Sequence, residues 1–142
     1  MPMNDPITGA PQRVNFDGSV CFAPFPFGAT PITASATGTT AAVAATLAGV
    51  AGKTTYISGL QVTEKNPTAA ADITVTTTGL TTNQTWNMSL LATAATVLHP
   101  SPLIMMFEPP VPASAANIAI VVTAGAAGAG GLASVNLQGY QL

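Results

Sequence analysis

The chain has 142 residues, of which three are basic and five acidic, for a net charge of −2. That length is one ordinary domain, able to bury about 70% of its unfolded surface around a single core without help from metal or disulfide. Three basic side chains, Arg13, Lys53 and Lys65, cannot neutralise a nucleic-acid backbone, and the one cysteine, Cys21, makes neither an intrachain disulfide nor a zinc cluster.

The opening segment, "MPMNDPITGAPQ", lacks the basic and apolar regions of a secretory signal, so synthesis and residence in the cytoplasm are expected unless the protein leaves within a particle. Residues 14–22 read as an extended run. "CFAPFPFGATPIT" then sets Phe22, Phe25 and Phe27 among Pro24, Pro26 and Pro31, a composition that favours an extended arm. The arm is predicted to cover residues 1–36 and a β-sandwich domain residues 37–142. Fully burying three Phe side chains contributes about 5 to 9 kcal/mol, whereas fixing roughly fifteen backbone residues costs about 1 to 2 kcal/mol each. The phenylalanines alone therefore do not hold the arm down. It needs further pairing, to its own sheet or to another subunit, and Phe22, Phe25 and Phe27 are the candidate anchors, with Arg13 as a charged contact at the rim. The alternative has equal standing: residues 14–22 are simply the first strand, and the Phe-Pro run caps one end of the sandwich.

Residues 32–47 give the next run. The stretch "ASATGTTAAVAATLAGVAG" is mostly Ala, Thr and Gly, with Val43, Leu47 and Val50 as its large aliphatics. A membrane span needs about 20 predominantly apolar residues, so a strand is expected here instead. In "TYISGLQVTE", Tyr56, Leu60 and Val62 fall on one face with Ser58 between them. Ile73 and Val75 alternate with threonines, and Trp86, Met88 and Leu90 alternate with Thr85, Asn87 and Ser89. Leu103, Met105 and Phe107 continue the period of two, followed by Ile118, Ile120 and Val122, then Val135 and Leu137. The punctuation comes from "EKNPTAAAD", "TGLTTNQ" and "EPPVPASAAN". About eight strands at this spacing predict an all-β, antiparallel β-sandwich of jelly-roll type with an extended N-terminal arm.

Near the C-terminus, "GAGGLA" at residues 128–133 fits the G-x-G-x-x-A fingerprint of a dinucleotide-binding turn. Such a turn opens a helix and is followed about 20 residues later by an acidic residue for the ribose. Here only "SVNLQGYQL" follows, and the last acidic residue is Glu108, upstream. The expectation is a hairpin between strands at 118–123 and 134–140, with Gly125, Gly128, Gly130 and Gly131 supplying positive-φ positions. No cofactor is expected. His99 is the only histidine and stands before Pro100 in a turn, the acidic residues are scattered, and no metal-ligand spacing occurs. The chain does not read as an enzyme. The sequons at Asn83 and Asn87 read as chance without a secretory route.

Two stretches, "AGKTTYISGLQVTEKNPTAAADITVTTTGL" and "PLIMMFEPPVPASAANIAIVVTAGAAGAGGLASVNLQGYQL", resemble the small capsid decoration or cement proteins of tailed bacteriophages. The likeness runs from about Gly52 to the end, through a GK-TY-SG order, a Thr-rich strand, PP-PASAAN-AI-V and a terminal GY. It implies a jelly-roll-like sandwich, usually a homotrimer, bound to the major capsid protein on the virion surface without catalysis, and no nucleic acid, membrane or small-molecule partner. The arm lies outside the likeness. A tail or fibre module that binds a cell-surface glycan is the alternative, and it requires at least two of Trp86, Tyr56 and Tyr140 to face water. Trp86, in phase with Met88, is expected to point to the core.

Overall fold

Threonine and β-branched residues in alternation become sheet throughout the described residues, 25–65, 71–90 and 102–142 of a computed structural model. Eight strands occur among them: β1 (Thr30–Thr39), β2 (Val43–Leu47), β3 (Thr55–Lys65), β4 (Ala71–Thr78), β5 (Thr85–Leu90), β6 (Leu103–Pro112), β7 (Ile120–Ala124) and β8 (Leu132–Gln141). They form two four-stranded antiparallel sheets, ordered β1-β8-β3-β6 and β2-β7-β4-β5. The pairing is nested. The first strand pairs with the last, β2 with β7, β3 with β6 and β4 with β5. The protein is thus an all-β sandwich of two antiparallel sheets.

Each sheet turns one parity of side chains inward. Val43, Ala45 and Leu47 of β2, Ile73 and Val75 of β4, and Ile120, Val122 and Ala124 of β7 meet Ile57, Leu60 and Val62 of β3 and Ala133, Val135 and Leu137 of β8 in a core closed to solvent. Trp86 is half-buried, packs on that core and lies 6.4 Å from the Phe107 ring. Met88 is buried beside it, as the alternation in β5 predicts.

Five expectations need correction. Residues 32–47 are two strands, because Thr40 takes a positive φ of 69° and the chain turns there from one sheet to the other. β1 also runs through residue 36, the expected limit of the arm, so residues 30–36 are sheet. In β3, the register shifts between Ile57 and Gly59, and this bulge reverses the parity of the strand. Tyr56 therefore stands on the outer face while Leu60 and Val62 point inward. "EPPVP" is not punctuation either: it completes β6, which tolerates Pro109, Pro110 and Pro112 because it is an edge strand with one side free of ladder bonds.

The fifth correction concerns the glycine loop. β7 and β8 belong to opposite sheets, so residues 125–131 form an arch across the sandwich and not a hairpin. Gly128 and Gly130 do have positive φ, 82° and 74°. Gly131 is required for space instead, since a methyl there would stand 2.5 Å from the Ala127 Cβ. No helix follows the loop, so its amides lack the setting of a phosphate cradle. Replacing Gly128 and Gly130 together with Ala is expected to lower stability by about 2 to 4 kcal/mol, at about 1 to 2 per left-handed residue. Urea denaturation reads the loss, and calorimetry with NAD or ATP should show no binding by the unmodified protein.

Candidate functional site

Backbone hydrogen bonds bring four segments to one end of the sandwich. The first pair of β1 joins Thr30 to Gln141, and Thr54 and Leu142 exchange two backbone hydrogen bonds of 2.7 and 3.1 Å. The Lys53 amide donates to the Val50 carbonyl at 3.0 Å, the Asn117 amide donates to the Lys53 carbonyl at 2.9 Å, and the Lys53 ammonium reaches Thr30 Oγ1 at 3.2 Å. A turn closed by the Ala29 amide on the Pro26 carbonyl leads into β1. Beneath these loops, Gln141 Nε2 donates to the Ala48 carbonyl at 2.7 Å and to Thr55 Oγ1 at 3.3 Å, which satisfies polar groups that would otherwise be stranded in the core.

The end so constructed presents apolar side chains to solvent. Phe27 is 81% exposed, and Val50, Ile118 and Leu142 in the other loops of this end are exposed as well. Lys53 is the one charged side chain in residues 25–31, 48–54 and 113–119. Singly exposed apolar residues are ordinary, but four gathered at one end, with one charge among them, make a surface suited to association.

Phe25 and Phe27, two of the candidate anchors of one run, behave differently. The Phe25 ring meets Tyr140 edge-on at 5.6 Å, and Tyr140 in turn stacks on Tyr56 at 4.8 Å with 13° between the rings. Tyr140 is left 5% exposed even though it stands on the outer face of its sheet. Phe25 therefore fastens the chain to its own sheet, as in the capping alternative, and Phe27 projects from the turn beyond it. Arg13 and Phe22 lie outside the described residues, as do Cys21 and His99.

Beside the aromatic stack, the outer face of the β1-β8-β3-β6 sheet is hollowed into a shallow groove of about 430 Å³. Its floor is Gly59, where a side chain would collide with Gln138 Nε2 at 2.7 Å and press on the Met106 sulfur at 3.0 Å. Gln138 Nε2 in turn donates to that sulfur at 3.5 Å. Ile104 and Met106 of β6 form the apolar wall, 59% and 62% exposed. The signal for this wall is present in the sequence, since "LIMMF" is apolar at both parities and a strand of that kind has two apolar faces. The outer face of the other sheet has no such wall. It carries Thr74, Thr76, Thr78, Thr85, Asn87 and Ser89.

Among the described residues, one buried side chain has no hydrogen-bond partner. Glu64, on the inner face of β3, is 1% exposed and neither carboxylate oxygen is hydrogen-bonded, whereas buried Thr55, Thr77 and Gln141 all are. Burial without compensation raises its pKa from 4.5 to about 7. Among the described residues no group of three or more His, Cys, Asp or Glu could hold a metal ion, and no helix is long and apolar enough to cross a membrane. No protein family matches the sequence, and none of the curated proteins compared with it does.

Proposed function

We propose that the protein is a structural component of a virion, a decoration protein that cements the capsid of a tailed bacteriophage by binding the major capsid protein lattice as a homotrimer, without catalysis. The reading rests on the apolar, almost uncharged end at Phe27, Val50, Ile118 and Leu142, where residues 25–29 lead into β1. The nested strand order supports it, because a jelly-roll reading, an architecture shared by viral capsid and lectin domains, calls for nesting of this kind. A lectin-like glycan platform is less well supported. Tyr140 is covered, Tyr56 is stacked on it and Trp86 is half-buried, so the two open rings that such a platform needs are not offered by these three residues.

With so few charges, docking must draw on apolar burial and backbone pairing. Exposed ion pairs lose their reach as the Debye length falls to about 3 Å at 1 M salt, while apolar contacts do not. Co-sedimentation with undecorated particles should therefore survive 1 M NaCl and should fall sharply when residues 1–29, everything before β1, are removed. Release of the full-length protein by salt, with binding by the truncated form intact, would overturn the reading.

A further inference from the structure

We propose that the free side of β1 pairs antiparallel with β1 of a second copy of this chain, about a twofold axis through Ser35, so that two four-stranded sheets become one continuous sheet. Four strand edges occur among the described residues, and three are poor templates. β2 and β5 are five and six residues long, and β6 carries three prolines. β1 runs for ten residues, TPITASATGT, with no charge, an unbroken register and one proline at its second position. Charge, proline or a bulge normally guards an edge against pairing with another chain. From Ile32 to Thr39 none of these guards is present.

The ladders show which groups a partner meets. Thr54 and Leu142 exchange two backbone hydrogen bonds, and the Thr40 amide donates to the Gly131 carbonyl at 3.1 Å. In an antiparallel sheet, bonded and non-bonded pairs alternate, and a residue sends its N–H and C=O to the same side. Even-numbered residues of β8 therefore bond to β3, and odd-numbered ones to Ile32, Ala34, Ala36 and Gly38 of β1. The residues between these point the other way. Thr33, Ser35, Thr37 and Thr39 offer four amides to the free side. Pro31 has no N–H, and the Thr39 carbonyl is taken by the Ala41 amide at 2.7 Å, so the free carbonyls are also four, those of Pro31, Thr33, Ser35 and Thr37.

A second β1 matches this set group for group. With Ser35 opposite Ser35, Thr33 faces Thr37 and Pro31 faces Thr39 of the second copy. Each of the four amides then meets a free carbonyl, eight hydrogen bonds in all, and the donor that Pro31 lacks falls opposite the Thr39 carbonyl already in use. A twofold axis through Ala36 would instead aim the Thr33 amide at that occupied carbonyl and leave the Pro31 carbonyl unmatched. Side chains agree with the first register. Inward-facing Ile32 lies opposite Gly38 and Ala34 opposite Ala36, while hydroxyls of Ser35, Thr33 and Thr37 pair on the outer face with no like charges opposed. The contact is self-complementary about its axis and uses neither the apolar end nor a capsid, so it stands apart from the homotrimer proposed above. Both contacts together give a hexamer, and this one alone gives a dimer.

Hydrogen exchange of the natural full-length protein, followed amide by amide at millimolar and micromolar concentration, tests the pairing. The Ala34 and Ala36 amides, bonded to β8, should be protected at both concentrations, and those of Thr33, Ser35 and Thr37 only at the higher one. Ser35→Pro removes two of the intermolecular bonds without touching the β8 ladder, and should weaken association about thirtyfold in sedimentation equilibrium. Ser35→Lys and Ser35→Glu should each stay apart alone but associate when mixed, because the axis sets residue 35 against itself. Thr33, Ser35 and Thr37 amides protected at both concentrations would put a segment of the same chain on the edge, and amides that exchange fast at both would leave it open. Either result overturns the proposal, as does a Lys and Glu mixture that stays apart, or association that reaches a trimer and never an even number of copies. If Ser35→Pro does not fold, hydrogen exchange of the natural chain decides.

Discussion

Raising the pH from 4.5 to 8 should remove about 3 kcal/mol from the stability of this protein through Glu64, and Glu64→Gln should lack that loss. The carboxyl is held between the sheets with no hydrogen-bond partner, so the structure penalises its charged form and the pKa rises to about 7 from 4.5. A folded-state pKa above the unfolded one means that the native protein binds the proton more tightly. The contribution is complete below pH 4.5 and disappears as the pH climbs through 7. At 1.36 kcal/mol per pKa unit, that interval corresponds to about 3 kcal/mol. Urea denaturation of both proteins across this range isolates the term, because other titrating groups are common to the two. Parallel curves for the natural protein and the Gln variant would show that Glu64 finds a partner or water.

The second large effect is expected from one methyl group. Gly139→Ala on β8 would drive its Cβ into the carbonyl oxygen of Tyr56 and crowd Leu47 Cδ1 at 3.1 Å. The carbonyl belongs to the β3 backbone, so relief requires β3 and β8 to part at the centre of their four-stranded sheet. A flexible side chain could swing away, but a strand cannot. A loss of about 3 kcal/mol, the upper part of the usual range for an overpacked core, is expected in the denaturation midpoint. A loss below about 1 kcal/mol would mean that the two strands are not so closely fixed.

What was legible in the sequence was periodicity. Ile73 and Val75, Met88, Val135 and Leu137 point inward as their alternation requires, because a pleated strand half-buried on a core enforces period two directly. The bulge at Ser58 was not legible, since one extra residue changes the parity of a strand without changing its composition. The arch after β7 is not legible in the sequence for a related reason. Glycine-rich connections suit a hairpin and a sheet-to-sheet crossing equally, and only the partners of β7 and β8 distinguish them. Of the exposed apolar residues at that end, Phe27 was legible as a candidate anchor in the Phe-Pro run, whereas Val50, Ile118 and Leu142 join it only through tertiary ladders. Glu64 sits in phase with Leu60 and Val62 after the bulge, and that phase was a readable sign of burial. Its lack of a partner was not.

The nested pairing carries a consequence for how the chain reaches this state. Because β1 closes on β8 and β3 is flanked by β8 and β6, neither sheet contains a pair of strands that are consecutive in the chain except β4 with β5. Long loops must close before most contacts are gained, and folds dominated by such distant pairs form in milliseconds to seconds. On a ribosome, β1 and β3 would emerge with unpaired edges and wait for the last ten-residue strand, Leu132–Gln141. In that interval the chain is exposed to strand pairing with its neighbours. A sequence with eight charges has little electrostatic repulsion to prevent it. That scarcity of charge therefore makes synthesis the hazardous stage in this protein's life, and slower expression at lower temperature is the condition under which soluble protein should accumulate.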